Sequence, residues 1–544
     1  EIYTLSLHDA LPIWSADSSR RLLARLLRRA PDAAARAAPR PDWAPAPIGE
    51  DAPDEQLRHL QRLLAVLGSS SALGDFLAAH PEGLAALAPA RAPDAPGLPD
   101  ARTALRAAVT GALGRPAAED GPGSEGDPGD AGGGADGAGD GPDGPDSGPD
   151  NGTGTADRDA VARATSALRT AYRNRLLGIV ADDLTSPDPY QHVETVGRRM
   201  SDLADAALDA ALLIARRAVG PPARDTALAV IAMGKTGARE LNYISDVDVV
   251  YVVAPVEGRQ VPEEELLAAG TAIATELAAV VSSTGAEPPL WPLDTGLRPE
   301  GKDGALVRTL ASHVAYYQRW AASWEFQALL KARAAAGDEA LGRAYEQAVA
   351  PFIWSASLRD NFVDDARAMR RRVERASEPR NGQDRRIKLG PGGLRDVEFT
   401  VQLLQLVHGR GDRSLRVRPT LTALRALSDG GYVSRGAAGA LGDGYRVLRL
   451  LEHRSQLHRL RRTHDLPDSD ADLRRIGRGI DRAALNDPDT LREAFRAARR
   501  QVRSLHEEIY YRPLLGAAAG LTADEMTLTD RKSTRLNSSH GRRS

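Results

Sequence analysis

None of the 544 residues is cysteine, which excludes disulfides and cysteine-based zinc sites and suits a reducing compartment. Aromatic residues make up only 4%. Cores must therefore be built from small and aliphatic side chains, in keeping with the heavy use of Ala, Leu and Arg, a bias that a GC-rich genome would also produce. Long apolar runs are scarce as well, none approaching the roughly 20 residues of a membrane span. Charge of either sign is nearly balanced at a formal net -3. Bulk electrostatics thus do not point to nucleic acid, and no basic stripe interleaves with stacking aromatics.

The length predicts several domains with ample chain to bury cores. Residues 1–14, EIYTLSLHDALPIW, lack the basic start and small-residue cleavage site of a signal peptide. They and the closing DRKSTRLNSSHGRRS read as translated sequencing adapter and are set aside as non-native, which would make the chain a gene fragment. Residues 15–115 are expected to be helical: RRLLARLLRRA and QLRHLQRLLAVL carry Leu at i, i+3, i+4 and i+7, Ser69 to Ser71 supply N-caps, and Pro81 opens a short helix. Residues 116–157 are rich in Gly, Asp and Pro with almost no large apolar side chain, so they cannot repay the entropy of ordering and are expected to be a disordered acidic spacer. A core domain is placed at 158–345 and a helical domain at 346–515, followed by a tail over 516–544.

One stretch, Val230 to Val253, reads VIAMGKTGARELNYISDVDVVYVV. It predicts a short buried strand to Met233, a tight turn at Gly234 and Gly237, a helical turn over Ala238 to Tyr243, and a second strand over Asp246 to Val253. Side chains alternate across a strand, so Asp246 and Asp248 share one face while Val247, Val249 and Tyr251 take the other. Adjacent carboxylates repel unless a cation lies between them, and Mg²⁺ suits carboxylates plus phosphate oxygens. The glycine turn lets backbone N–H groups approach phosphates, with Lys235 as a point charge. The spacing is not that of a Walker A loop.

Further along, Pro262 opens a helix to about Ser282, and LWPLDTGLRPEGKDGALV offers Asp294 as a third carboxylate on a strand able to lie beside that of Asp246. Arg298, four residues on, is able to grip a phosphate, although a structural salt bridge explains the same spacing. In HVAYYQRWAASWEFQALLKARAAAG, Tyr317, Trp320, Trp324 and Leu329 form a core stripe at helical spacing, with Gln327 and Lys331 as i, i+4 neighbours and Arg333 close by. FVDDARAMRRRVERA reads as a solvated basic helix. In IKLGPGGLRDVEFTVQLLQLVHGR, Gly390, Gly392 and Gly393 precede an amphipathic helix; such a loop is either an anion site helped by Lys388 and Arg395 or an ordinary turn and cap. His408, His453 and His458 are not spaced as a metal set.

Together these motifs carry a resemblance. GKTGARELNYISDVDVVYV resembles the nucleotidyltransferase signature of the DNA polymerase beta superfamily, and more closely the glutamine synthetase adenylyltransferase family of adenylyl-transferring and adenylyl-removing enzymes. Asp294 with Leu297-Arg298-Pro299, Trp324-Glu325 through Arg333, and Lys388 to Phe399 match that family's wording, although Thr295-Gly296 departs from it. The resemblance implies an α+β fold, mainly helical with a small mixed-sheet core followed by a helical bundle. It also implies Mg²⁺ on Asp246, Asp248 and Asp294 as the catalytic acids, and nucleotide or phosphate contacts from Gly234, Lys235, Gly237, Ser245, Arg298, Lys331, Arg333 and Lys388. The expected reaction is that of the family's adenylyl-removing half: inorganic phosphate attacks AMP on a tyrosine of glutamine synthetase, releasing ADP. ATP-dependent adenylylation and a non-catalytic nucleotide-sensing module stay open. Expected partners are glutamine synthetase, the PII signalling protein, nucleotide and phosphate, in the cytoplasm, with neither nucleic acid nor membrane.

Overall fold

Helical periodicity dominates the chain up to about residue 219, and strict apolar runs follow it. The structure, a computed structural model, describes residues 54–88, 100–114, 152–359, 385–481 and 483–518, with Phe362, Asp364, Asp365 and Ala368. The expectations for residues 1–14, RRLLARLLRRA, most of the acidic spacer, most of the basic helix and the closing tail fall outside these residues.

Helices α1 (Asp54–Ser69), α2 (Ser71–Ala79) and α3 (Ala101–Leu113) pack with two long ones, α4 (Gly152–Leu184) and α5 (Pro189–Val219). Ser70 accepts from Leu73 N as the N-cap of α2. Helix α4 starts at Gly152, inside the stretch whose composition reads as spacer. Its Arg169 is buried and donates to Val280 O at 2.7 Å, Ser283 O at 2.8 Å and Glu287 O at 2.8 Å, which satisfies carbonyls at and just beyond the end of helix α6 (Glu263–Ser282).

The sheet contains β1 (Thr226–Ala232), β2 (Val247–Pro255), β3 (Leu293–Asp294), β4 (Val307–Thr309) and β5 (Arg333–Gly337). Its order is β3-β2-β1-β5, with β4 also on β2. β1 runs antiparallel to β2 and β5, while β3 and β4 run parallel to β2, so the sheet is mixed. β1 is buried along its whole length, as a central strand covered on both faces must be. Leu228, Val230, Val249, Tyr251 and Val253 face α5 and α6 in one core. Ala229, Ile231, Val250 and Val252 face a second core with Tyr317, Phe326, Tyr345 and Val349.

Helix α6 corrects one expectation. It is long and apolar enough to cross a membrane by length and composition. Its Ile273, Leu277 and Val281 pack in the core, and that burial accounts for its composition.

The segment expected as one helix with a core stripe is instead α7 (Leu310–Arg319), α8 (Ser323–Leu329) and strand β5. Tyr317 and Leu329 are buried, but Trp320 falls in the break between the helices and is 76% exposed. Lys331 lies beyond the end of α8, so it and Gln327 do not share a helix. The boundary expected at 345/346 falls inside α9 (Glu339–Ser355), whose Tyr345, Val349 and Ile353 cover the sheet.

The remaining helices are α10 (Leu394–His408), α11 (Thr420–Asp429), α12 (Arg435–Leu457), α13 (Asp470–Arg478) and α14 (Pro488–Ala518), around a third core that includes Leu404, Leu448 and Val502. Buried charge joins them to the first helices. Asp183 of α4 meets Arg454 of α12, with Arg454 Nη2 at 3.0 Å from Asp183 Oδ1, and Tyr243 donates to Asp183 Oδ2 at 2.5 Å. These two donors hold the Asp183 carboxyl below its usual range despite the opposing effect of burial.

A carboxylate edge faced by basic side chains

Chain geometry at the end of β1 fixes the site. Met233 N donates to Asp248 O at 2.8 Å, tying the start of the glycine turn to β2. Gly234 has φ +52°, and a Cβ there would lie 2.3 Å from Asp248 Oδ2. A Cβ on Gly237 would lie 2.0 Å from Lys331 O and 2.5 Å from Ala232 O. Both glycines are therefore needed for close approach. Gly237→Ala is expected to cost ~2–4 kcal/mol of stability, because the obstructing atoms are backbone and cannot rotate away. An unchanged urea midpoint for that variant would contradict the packing described.

Asp248 stands opposite Asp294 in the parallel β2–β3 register, and Asp246 lies two residues before Asp248, just ahead of the strand. All three expected carboxylates thus meet at one sheet edge. Burial pushes the Asp248 carboxyl up to about 6, with Asp294 and Asp246 pushing the same way and Lys388 and Arg462 pulling it down. Asp246 Oδ2 is ion-paired with Arg462 Nη1. Asp294 is exposed, and its Oδ1 accepts from Gly296 N at 2.8 Å. These partners draw two of the acids aside, and among the described residues no group of three His, Cys, Asp or Glu side chains is gathered tightly enough to hold a metal. As chemistry the donor set still suits a hard divalent cation: three carboxylates, all oxygen, the most buried of them raised by burial first and by its acidic neighbours second. Ser245, half-buried, directly precedes Asp246.

Several residues expected at a phosphate have protein partners instead. Lys235 is 12% exposed, and its Nζ lies 2.9 Å from Glu452 Oε2 and 3.3 Å from Asn242 Oδ1. Burial lowers this ammonium to about 8 and Glu452 opposes the shift, so Lys235 is charged at neutral pH. Arg449 Nη1 also reaches Glu452 Oε2, at 2.9 Å. Lys235 is therefore one member of an internal ion-pair cluster joining the glycine turn to α12, rather than an open point charge.

Arg298 donates to Thr295 O, Lys302 O and Gly304 O at 2.9, 2.8 and 3.0 Å, bracing its own loop. Arg333 grips Asp205 with Nη1–Oδ2 2.6 Å and Nη2–Oδ1 2.9 Å, as a structural pair. Lys331 Nζ donates to Arg418 O and to Thr420 Oγ1, the latter at 3.2 Å. Thr420 N in turn donates to Glu240 Oε1 at 2.6 Å, so this cluster joins the turn to the start of α11. The glycine loop before α10 is closed on itself: Gly392 N donates to Asp396 Oδ2 at 2.8 Å, and Pro391 O accepts from Arg499 Nε at 3.1 Å. Of its two readings the turn and cap fits this bonding.

Lys388 behaves differently. Its segment pairs with the chain beyond α12: Ile387 N donates to His464 O at 2.8 Å and Leu466 N to Arg385 O at 2.8 Å, with Arg386 bridging Asp465. That pairing brings Lys388 within electrostatic reach of Asp248, Lys235, Glu452 and His464. It also delivers Arg462 to Asp246. Sequence reading missed Arg462, His464, Glu452, Arg449 and Asn242. The one local signal was the basic run RLRRTH at the end of α12.

Comparison with known proteins accords with this arrangement. Residues 153–348 match the family described as Glutamate-ammonia ligase adenylyltransferase, and residues 366–510 match GlnD PII-uridylyltransferase. A protein of Streptomyces avermitilis named bifunctional glutamine synthetase adenylyltransferase/adenylyl-removing enzyme is 53% identical over 363 residues, covering 67% of this chain and 36% of the relative. Relatives of the same name from Bifidobacterium longum subsp. infantis and Leifsonia xyli subsp. xyli are 44% and 41% identical, covering 86% and 96% of this chain and 42% and 47% of their own. The chain spans less than half the length of these relatives. With residues 153–348 and 366–510 matched and the carboxylate edge lying within the first stretch, the chain belongs to the glutamine synthetase adenylyltransferase/adenylyl-removing family.

Proposed function

We propose that this chain removes AMP from an adenylylated tyrosine of glutamine synthetase by phosphorolysis. The observation that carries the reading is the registered Asp248–Asp294 pair with Asp246 beside it, faced by Lys388 and Arg462. The match of residues 366–510 to a family named for uridylylation of PII supports the removing half and a PII-type protein as partner. On this reading the protein works in the cytoplasm alongside its protein substrate.

The reaction balances without an added oxidant or reductant. An oxygen of hydrogen phosphate forms a bond to the AMP phosphorus, the bond from phosphorus to the tyrosyl oxygen breaks, and the proton of the phosphate ends on that oxygen. ADP and tyrosine leave. Asp246, Asp248 and Asp294 would hold Mg²⁺, which when bound would supply positive charge against the phosphoryl oxygens. The chain's own residues do the rest. Gly234 lets backbone come close to Asp248. The Lys235–Glu452–Arg449 cluster keeps the glycine turn fixed to α12, so the sheet edge and the basic segments stay in register. Arg298 holds the loop after Asp294 in one shape.

Incubating the chain with AMP-modified glutamine synthetase, Mg²⁺ and phosphate is expected to release ADP, and an Asp246→Asn/Asp248→Asn control is expected to release none. ATP-dependent labelling of unmodified synthetase instead would move the chain to the adenylylating reaction. Nucleotide binding with neither activity would make it a sensing module.

A further inference from the structure

We propose that Lys388, Arg462 and His464 form the binding site for the orthophosphate nucleophile, on the side of the carboxylate edge supplied by the helical domain. All three come from the paired segments 385–388 and 462–466, held by the Ile387–His464 and Arg385–Leu466 backbone bonds at 2.8 Å each. Leu460, with φ +46°, turns the chain out of α12 and begins the return toward the sheet. Other basic groups near the acids are committed to protein acceptors: Lys235 to Glu452, Arg449 to Glu452 and Glu240 O, Arg298 to its own loop. Lys388 acts on Asp248 electrostatically, and its side chain makes no hydrogen bond or ion pair within the described residues. Arg462 is half exposed; its Nη1 pairs with Asp246 and its Nε donates to His464 Nε2, leaving Nη2 open to a second oxygen ligand.

His464 adds an independent observation. Its Nε2 accepts from Arg462 Nε at 3.2 Å, which makes Nδ1 the protonated nitrogen of the neutral ring. Nδ1 is buried, and no acceptor meets it among the described residues. A buried donor without a partner is costly, and an anion oxygen removes that cost. Two cations and one N–H without an acceptor, beside an acidic edge, suit a tetrahedral dianion. The edge itself neutralises the surplus positive charge, which favours a small hydrated anion over a polyanion.

This inference takes its ligand from the phosphorolysis reading, but its test does not depend on turnover. Inorganic phosphate is titrated into the full chain by calorimetry, with wild type, Lys388→Gln, Arg462→Gln and, as a control on the same segment, the exposed Arg459→Gln. Each of the first two is expected to weaken phosphate binding about tenfold or more, the worth of one charge-assisted hydrogen bond. Arg459→Gln is expected to leave it unchanged. In turnover the phosphate KM rises in the first two variants while the KM for modified synthetase stays put. Wild-type phosphate affinity in both variants, or an equal loss in Arg459→Gln, overturns the site. Site-dependent phosphate binding without ADP release would instead leave the site standing and reject the phosphorolysis reading.

Discussion

Asp248→Asn is expected to lower phosphate-dependent ADP release roughly a thousandfold and, in the absence of divalent ions, to raise thermal stability. Both effects have one cause. Asp248 is held largely out of water at a strand edge, with Asp294 in register and Asp246 two residues away, so its negative charge is disfavoured by burial first and by its neighbours second. Asparagine keeps the shape and removes the charge. The gain is expected to be about 1–3 kcal/mol, or a few degrees in Tm for a chain of this size. Calorimetry in EDTA reads the stability, and a coupled ADP assay reads the rate. A variant that is inactive and also less stable would show that the carboxylate is a structural anchor rather than a strained functional group.

Glu452→Gln is expected to have the opposite signature. Glu452 is fully buried in α12 and meets Lys235 Nζ and Arg449 Nη1, each at 2.9 Å. Removing its charge leaves two buried cations uncompensated, a change that costs ~3–5 kcal/mol. The pH dependence follows from the direction of the shift. The two cations hold the Glu452 carboxyl far below its ordinary 4.5, with burial opposing them. A depressed folded-state value means that its contribution is fully present above about 4.5 and is lost as pH falls through the folded value beneath it. The stability difference between wild type and variant should therefore be flat from pH 7 to 5 and shrink only in stronger acid. A difference under about 1 kcal/mol at pH 7 would contradict the role given to this cluster in joining the turn to α12.

Much of this arrangement was legible in local pattern. Period-two alternation placed Asp246 and Asp248 on one face, the glycines marked a turn, and Asp294 was expected on a neighbouring strand, where it pairs with Asp248. These signals are local because strand geometry and turn chemistry act over a few residues. The misses are long-range. Arg333–Gly337, rich in alanine, reads as helix by propensity yet forms β5, because small side chains are needed where α9 crosses: a Cβ on Gly342 would come within 2.7 Å of Ala334 Cβ. The ion pair of Lys235 was not foreseen, because its partner, Glu452, lies 217 residues away and no spacing rule connects them. Arg462 and His464 were hidden for the same reason. Their position depends on backbone pairing with 385–388, which carries no hydrophobic period.

The most direct test supplies ³²P-labelled orthophosphate to the chain with AMP-modified glutamine synthetase and follows where the label goes. The account predicts label in the β-phosphate of ADP, with stoichiometric loss of AMP from the synthetase and no transfer by the Asp248→Asn variant. Release of unlabelled AMP would mean that water, not phosphate, attacks, and it would contradict the proposed reaction.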